Sequence, residues 1–351
     1  MGADPRFFRR IGRLTARQIA GQLQGELTGD ADSWVEDAGP ADTALPGELV
    51  FVSSPQLPRH LAGRAGVIIG PPPKGVLPDF APGTAYIAHP HPKGAFGVVA
   101  ARIVVERDDG QSDAIAPDAV IEPGARLSPG VVIGAGAHIG AGAVIGANAV
   151  IGPGVVIGQG TQVRPGAVIS CALIGARCRI GPGTVIGEAG FGIAPGPGGL
   201  VTLPHFGRVV IGDEVRTGAN CTIDRGMFGD TVLRDRVRLD NLCHIAHNVD
   251  VGEDALMAAF AGISGSVKIG RGAQFGGRVG VVDHLTIGEG ARLAASAAAA
   301  RDVPAGETWA GIPARPIQRW LRELALLKKL AAPRPRDVDA KGRAGQDREE
   351  G

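Results

Sequence analysis

Residues 131–158 read VVIGAGAHIGAGAVIGANAVIGPGVVIG, and an isoleucine followed by glycine returns there every six positions. The same aliphatic period runs from Ile115 to Ile169 and again from Leu233 to Leu293. A period of six fits neither an α-helix nor an alternating strand. It is typical of a solenoid whose coils, each of about 18 residues, have three short strands with one inward aliphatic side chain per strand. The repeat therefore predicts stacked parallel strands around a narrow apolar interior.

The composition of the 351-residue chain agrees with such a rod. Its 56 glycines show no period of three, so we assign them to tight corners rather than to a collagen-like helix. The net charge of +1 argues against a nucleic-acid-binding protein. The chain has no apolar signal-like region at its N-terminus and no run of 18 apolar residues, which predicts a cytoplasmic protein without an integral membrane segment.

The first 108 residues lie outside the repeat. Thr15 to Leu27 predicts an amphipathic helix with Thr15 as its N-cap, and short strand-like runs separated by prolines follow it. Residues 1–108 are therefore predicted to form a small N-terminal α/β domain.

The remainder of the chain divides into a rod, a helical segment and a tail. We assign residues 109–308 to the solenoid and residues 188–209 to an excursion loop that leaves the period; such loops often gather on a binding face. Residues 309–332 predict a C-terminal helical segment. The polar and charged residues 333–351 predict a disordered tail.

One short segment concentrates the side chains that could do chemistry. From Leu239 to Val249 the sequence reads LDNLCHIAHNV. The neutral imidazole of His247 is a candidate general base near pH 7, and Asp240 is a nearby carboxylate that could orient it. A polar turn containing a hydrogen-bonded histidine is the alternative interpretation. His284 follows two coils and one residue later, so the two histidines could meet only obliquely within one chain but could face each other across a trimer interface.

A metal site is not expected. Zinc requires several converging ligands, whereas His244 and His247 stand three positions apart on a predicted strand and should point to opposite faces. The cysteines show no paired CxxC spacing and are predicted to be buried, reduced thiols. They are Cys171, Cys178, Cys221 and Cys243.

Several strings carry a family resemblance that covers about residues 1–330. They include CTIDRG at 221–226, IAHNV at 245–249 and GIPARP at 311–316. With these strings the chain resembles the hexapeptide-repeat acyltransferases, and among them the N-acyltransferases of lipid A biosynthesis. The resemblance implies a mainly β fold: a left-handed parallel β-helix with a small N-terminal α/β domain and a C-terminal helical extension.

The resemblance also implies a reaction. A homotrimer would transfer a 3-hydroxyacyl chain from acyl carrier protein to the 2-amino group of UDP-3-O-(3-hydroxyacyl)glucosamine, with no metal or other cofactor. His247 matches the general base and Asp240 its orienting carboxylate. The backbone N–H of Gly265 matches the oxyanion donor, and His284 matches a second histidine close to the thioester.

Substrate contacts follow from the same resemblance. Phe51 matches an aromatic residue of the family's uridine pocket, but Ser54 and Leu57 replace an Asn and a Tyr, which predicts a one-sided aromatic clamp. Asn241 and His244 are further substrate-binding candidates, and His244 stands where better-known members carry Gln.

The acyl chain and the carrier protein have candidate contacts nearer the C-terminus. Ala298 lies in an alanine-rich stretch that either leaves an acyl groove open, favouring a longer chain, or packs the interior. Arg315, Arg319 and Arg322 are candidates for docking the acidic carrier protein, or form a solvated face of a trimer cap.

Two other functions remain open from the sequence. One is an acyl- or acetyl-CoA-dependent N-acyltransferase acting on another amino-sugar nucleotide. The other is a non-catalytic solenoid scaffold, which the excursion loop and the pairing of His247 with Asp240 argue against.

Overall fold

The structure is a computed structural model that describes residues 2–56, 61, 63–107, 113–311 and 317–331. Residues up to Gly311 form one compact unit, and the segment from Ile312 onward forms a second. The described part of that second unit is a single helix, Ile317–Ala331. The predicted tail, residues 333–351, lies outside the described residues.

A helix and a five-stranded sheet make up most of the N-terminal region. The helix Ala16–Leu23 begins after Thr15, whose hydroxyl accepts the backbone N–H of Gln18 in a capping box. It ends at Gln24, which is left-handed. Across the sheet the strands are ordered Glu26–Gly29, Ala85–Ala88, Val67–Gly70, Glu48–Phe51 and Asp37–Ala38; only the first pair is antiparallel.

The other elements of this region are shorter or lie outside that sheet. Leu14–Thr15 pairs with Trp34–Val35, and Phe8–Arg10 pairs with Val104–Glu106, both antiparallel. A 3-10 turn spans Ala41–Thr43, and a second helix spans Pro92–Ala100.

The repeat forms a parallel solenoid with three ladders, which confirms the predicted mainly β hexapeptide fold. The first ladder contains Val120–Ile121, His138–Ile139, Val156–Ile157, Ala172–Ile174, Arg208–Ile211, Asp230–Leu233, Asp250–Val251, Lys268–Ile269 and Thr286–Ile287. The second contains Arg126–Leu127, Val144–Ile145, Gln162–Val163 and Arg179–Ile180, then Arg238–Leu239, Leu256–Met257, Gln274–Phe275, Arg292–Leu293 and Thr308–Trp309, joined through a bridge at Arg216. The third contains Val132–Ile133, Val150–Ile151, Val168–Ile169, Val185–Ala189, Thr222–Arg225, His244–Ile245, Gly262–Ile263, Gly280–Val281 and Ala298–Ala299.

The register explains the period of the sequence. Ile133 pairs with Ile151, and Ile151 pairs with Ile169, so residues one coil apart stack directly. All three are completely buried. Each aliphatic residue of a hexad therefore adds to a column inside the rod, and burial of these columns supplies the main stabilisation. All four cysteines are free thiols buried in the same interior, as predicted.

The excursion is a β-hairpin rather than an irregular loop. Its strands are Ile193–Gly196 and Gly199–Thr202. The hairpin lies against the helix Pro92–Ala100, where a Cβ on Gly94 would come within 2.1 Å of the carbonyl oxygen of Pro195. Only a glycine permits this approach, and the excursion is thereby packed against the N-terminal region.

The corners of the solenoid repeat a left-handed backbone conformation. In the N-terminal coils glycine usually occupies this position, as at Gly136 (φ 65°) and Gly142 (φ 66°). In the C-terminal coils the same position more often carries a side chain, as at Leu242, Phe260 and His284.

Candidate functional site

His247 lies in the corner that follows the strand His244–Ile245 of the third ladder. The next residue, Asn248, is left-handed and fixes this corner through its side chain. Its Nδ2 donates to the carbonyl of Phe228 at 2.7 Å, and its Oδ1 accepts the backbone N–H of Met227 at 3.0 Å. These two bonds determine which atom of the Asn248 amide is the oxygen.

The same oxygen determines which ring nitrogen of His247 carries the proton. Nδ1 of His247 lies 3.3 Å from Oδ1 of Asn248. Because this oxygen can only accept, the neutral imidazole carries its proton on Nδ1 and its lone pair on Nε2. Nε2 is therefore the atom able to take a proton from a substrate.

Two glycines enclose the imidazole of His247. A Cβ on Gly190 would lie 2.7 Å from both Cβ and Cδ2 of His247. A Cβ on Gly265 would lie 2.6 Å from Cε1 and 2.8 Å from Nε2. The ring thus occupies space that exists only because both positions lack a side chain. Among the described residues no acceptor takes the backbone N–H of Gly265, so this N–H can serve a ligand.

The excursion supplies the next neighbour of His247. His205 is 2% exposed, and its ring lies edge-on to that of His247 with 5.2 Å between centroids. Its Nδ1 lies 3.1 Å from the carbonyl oxygen of Leu203 and donates to it. Burial lowers the pKa of His205 to about 4, against a partly offsetting hydrogen bond to Leu203. His205 is therefore neutral at physiological pH.

A buried arginine joins three segments beside the site. The guanidinium of Arg225 donates to the carbonyl oxygens of His205 at 2.9 Å and Gly187 at 2.7 Å. It also donates to the carboxylate of Glu106, the last residue of the N-terminal region's final strand, at 2.7 Å. Arg225 thereby holds the excursion and the N-terminal region against the coil that precedes His247.

A buried carboxylate lies beside His244, one coil before His247. The side chain of Asp224 is 12% exposed, and its Oδ2 lies 3.8 Å from Nε2 of His244. The charges of both His244 and His247 act on it. Nδ1 of His244 is 2.7 Å from the hydroxyl of Thr222. The two histidines therefore lie near one carboxylate instead of facing apart, because the backbone turns after Ile245 and strand alternation does not extend to His247.

Asp240 and Asn241 form the preceding corner of the same coil. The carboxylate of Asp240 accepts the backbone and side-chain N–H groups of Asn241, at 2.8 and 2.9 Å. Oδ1 of Asn241 accepts the backbone N–H of Ala219 at 2.7 Å. Within the parts of the chain that the structure describes, no hydrogen bond or ion pair joins Asp240 to His247.

His284 lies at the same corner as His247 but farther along the rod. Its backbone N–H donates to the carbonyl of Gly265 at 3.0 Å, and Ser266 donates in the same way to His247. His284 is thus in register with Asn248, two coils away, about 10 Å at the usual spacing of strands. Its side chain is 76% exposed. The structure does not bring the two imidazoles together within one chain.

The structure describes two of the three residues predicted to contact the nucleotide. Phe51 is half-buried and packs 5.1 Å from Phe96, ring centre to ring centre. Ser54 is exposed, and its hydroxyl accepts the backbone N–H of Gln56. A cavity of about 360 Å³, lined by Pro55, Gln56 and residues 73–78, adjoins it. Leu57 lies outside the described residues.

The remaining candidates are near the C-terminus. Ala298 is exposed on the outer face of the third ladder, while Ala299 points inward. Arg319 pairs with Glu323 at 3.0 Å, and Nε of Arg322 donates to the carbonyl of Gln318 within the same helix. Arg315 lies outside the described residues.

The described residues contain no group of three or more His, Cys, Asp or Glu side chains arranged to hold a metal ion. None of their helices is both long enough and apolar enough to cross a membrane.

His247, Gly265 and His244 were proposed as site residues from the sequence and its family resemblance, which gave no role to Asp224, Asn248 or Gly190. Asp224 lies within the quoted CTIDRG string, where an acidic residue directly after the inward-facing Ile223 was the available signal. For Gly190, proximity to His247 depends on how the excursion folds back, which periodicity does not show.

The hexapeptide repeats match a known family model. The family described as "Bacterial transferase hexapeptide (six repeats)" matches residues 115–147, 136–171 and 154–188. Among solved structures, a UDP-N-acetylglucosamine acyltransferase from Campylobacter jejuni is 29% identical, covering 54% of this chain and 68% of that one, with a TM-score of 0.35.

Curated relatives match almost the whole chain. A UDP-3-O-acylglucosamine N-acyltransferase of Maricaulis maris (strain MCS10) is 49% identical over 95% of this chain and 98% of its own. Proteins of the same name from Caulobacter vibrioides (strain NA1000 / CB15N) and Caulobacter sp. (strain K31) are 48% and 45% identical, each over 94% of this chain and 98% of the relative. The chain therefore belongs to the UDP-3-O-acylglucosamine N-acyltransferase family of hexapeptide-repeat enzymes.

Proposed function

We propose that this N-acyltransferase moves a 3-hydroxyacyl chain from acyl carrier protein to the 2-amino group of a UDP-3-O-acylglucosamine, with His247 as the general base. The observation that supports this proposal is the position and tautomer of the His247 imidazole. It is held between Gly190 and Gly265, and its Nδ1–H is directed to Asn248, so that Nε2 keeps a free lone pair.

The reaction follows from these groups. The amine nitrogen attacks the thioester carbonyl carbon while Nε2 of His247 takes a proton from the amine. The oxyanion that forms is stabilised by the N–H of Gly265, which has no acceptor among the described residues. Collapse breaks the C–S bond, and the proton held by His247 passes to the departing thiolate. We assign His284 to the thioester side, supplied by a neighbouring copy of the chain.

A homotrimer is part of this proposal. Within one chain His284 lies two coils from His247, and Asp240 bonds to Asn241 instead of to a histidine. Large apolar side chains are exposed at the corners of the same coils, namely Leu242, Phe260 and Val282. Contact with a second copy would cover these residues and complete the site.

The acyl chain has a candidate path along the third ladder. Outward from His244, the residues stacked on its outer face are Gly262, Gly280 and Ala298. A Cβ on Gly262 or Gly280 would meet nothing within 4 Å. We propose that this open surface borders the acyl groove and that Ala298 leaves its end free for a long chain. We assign Phe51 and Ser54 to the nucleotide, and Arg319 and Arg322 to the carrier protein.

The test is an acyl-transfer assay on the full chain. Transfer from a 3-hydroxyacyl carrier-protein thioester to UDP-3-O-acylglucosamine should fall by about 10²–10⁴-fold in His247→Ala, the usual loss when a general base is removed. His138→Ala is the matched control, because His138 lies on an N-terminal coil and pairs with Glu122. In the same assay, the rates with donors of increasing acyl-chain length are compared between the natural chain and Ala298→Met. A preference for shorter donors in Ala298→Met would support the proposed open groove.

Three results would count against the proposal. A coenzyme A thioester used in preference to the carrier-protein thioester would reassign the donor. Full activity in His247→Ala would move the base elsewhere. Sedimentation of the active enzyme as a single chain would exclude the trimer.

A further inference from the structure

Asp224 is the carboxylate that this chain places beside its catalytic corner. Ile223 pairs with Ile245, so Asp224 lies next to Ala246 and one position from the level of His247. Ile223 points into the solenoid, and the flanking residues Thr222 and Asp224 therefore point outward. Unlike Thr222, which is exposed, Asp224 is only 9% exposed.

The surroundings of Asp224 leave its charge incompletely balanced. Arg225 is committed to two carbonyl groups and to Glu106. In the described part of the chain the one ion pair of Asp224 is to His244, at the long distance of 3.8 Å. Burial and, to a smaller extent, the charge of Glu188 raise the pKa of Asp224, and the charges of His244, His247 and Arg225 oppose this effect. An anion kept from water in this way is stabilised when a cation forms next to it.

Such a cation forms during the proposed reaction. When Nε2 of His247 takes the amine proton, the imidazole becomes an imidazolium, and its Nδ1–H is held by the neutral oxygen of Asn248. Asn248 orients the ring but provides no compensating charge. Asp240 bonds to Asn241 at the preceding corner. Among the described residues Asp224 is thus a carboxylate at this corner that forms no hydrogen bond or ion pair with an arginine.

We propose that Asp224 is a positioning residue that stabilises the protonated form of His247 electrostatically during acyl transfer. The inference rests on the proposed role of His247 as base. It replaces Asp240, the carboxylate favoured from the sequence, with one that the coil register brings next to the histidine. The charged and titratable groups facing this pair are His244, Glu188, Arg225, His205 and Lys93.

The experiment compares Asp224→Asn with the natural full-length chain in the carrier-protein assay. We expect kcat to fall about 10- to 100-fold with little change in KM, because the loss affects the transition state. Without the carboxylate, protonation of His247 is less favourable, so the acid limb of the kcat/KM profile should move to lower pH. Asp224→Glu, which restores the charge, should move the limb back.

A double mutant separates this role from a structural one. If Asp224 acts through His247, adding Asp224→Asn to His247→Ala should cost nothing further. Asp240→Asn is the comparison variant and should leave the acid limb near its natural position.

Each contrary outcome overturns the inference. A multiplicative loss in the double mutant, or a lower rate with an unmoved acid limb, would make Asp224 structural. A shift in Asp240→Asn alone would return the role to Asp240. Inactivity of the natural chain or full activity of His247→Ala would instead refute the proposed function, so the two failures are distinguishable. Thermal melting of Asp224→Asn shows whether the variant is folded, and Asp224→Glu gives an independent reading if it is not.

Discussion

The position of the His247 imidazole depends on two neighbouring glycines, because a side chain at either would occupy the space of the ring. Gly190 comes from the excursion and Gly265 from the next coil, and each would place a Cβ within 2.7 Å of a His247 atom. A histidine at an exposed corner ordinarily samples several rotamers. Here the close backbone on two sides restricts the ring, which is the preorganisation that its proposed role in proton transfer requires.

Gly265→Ala should therefore damage catalysis more than folding. The new methyl group would overlap Cε1 of His247 and displace the ring, and a misplacement of about 1 Å can cost on the order of 100-fold in rate. We expect kcat to fall by at least about tenfold in a steady-state assay.

Gly277→Ala is the matched control for this substitution. Gly277 stacks between Ala259 and Ala295 at another corner, and its Cβ would lie 3.5 Å from the nearest atom. Equal activity in the two variants would show that the His247 ring is not confined by Gly265.

At the residue scale, the sequence predicts a site residue when the feature that marks it lies in the same short segment. His247 was found because a corner histidine breaks the pattern of its hexad. The partners of His247 were harder to predict, because Asn248, His205 and Asp224 reach it through a turn, an excursion and a coil register. The nearest carboxylate along the chain, Asp240, was favoured over Asp224, which is farther in sequence but lies in the adjacent coil.

Among the elements, the excursion is tied to the solenoid and to the N-terminal region by the side chain of Arg225. Arg225 is 6% exposed and donates to three acceptors, two of them carbonyl groups. Its partner Glu106 is 44% exposed, so the ion pair itself is only partly desolvated. The hydrogen bonds to the carbonyls of His205 and Gly187 are therefore the larger structural contribution.

Arg225→Met should lower the free energy of unfolding by about 3 kcal/mol, since buried acceptors lose their donor. Arg234→Met is the control, because Arg234 forms a bidentate pair with Asp250 at the surface, and its loss should cost less than about 1 kcal/mol. Thermal or urea unfolding followed by circular dichroism measures both. Equal losses would mean that Arg225 is no more than a surface ion pair.

The sequence predicted elements where local chemistry decides them. Thr15 and Gln18 complete a capping box, and the predicted helix does begin after Thr15. It ends at Leu23 instead of Leu27, because Leu27 pairs with Ile87 in the sheet. The excursion was located by its loss of period, but its hairpin was not predicted, since packing against the helix Pro92–Ala100 stabilises it.

For the whole molecule, stability should depend on pH through the buried imidazole of His205. Its folded pKa is about 4, lowered mainly by burial, whereas an unfolded histidine titrates near 6.5. Unfolding therefore takes up a proton between these values. The contribution of His205 to the free energy of unfolding is fully present above pH 6.5. It declines toward pH 4, by up to roughly 1.4 kcal/mol per pH unit.

Melting temperatures measured between pH 8 and pH 4 test this prediction. His205→Gln should flatten the decline below pH 6.5, whereas His284→Gln, a change at an exposed imidazole, should leave it unchanged. A steep decline that persists in His205→Gln would place the responsible proton elsewhere.

The overall architecture was predictable because one rule is repeated. Nearly every hexad places an apolar residue inside, so the columns through Ile133, Ile151 and Ile169 follow directly from spacing. The attachment of the N-terminal region follows no such rule. It depends on individual contacts such as that of Arg225 with Glu106, which cannot be predicted from the repeat.

The left-handed corners have a consequence for how such a rod can diverge. Leu242, Phe260, Arg278 and His284 hold left-handed corner positions and are exposed, so their side chains take no part in stacking the interior. A mutation at a corner can therefore alter what the protein recognises while its interior columns persist. Each such residue gives up about 1–2 kcal/mol relative to an unstrained backbone, which limits how many corners can vary. The glycine corners of the N-terminal coils avoid this steric cost, and a side chain introduced there would add it.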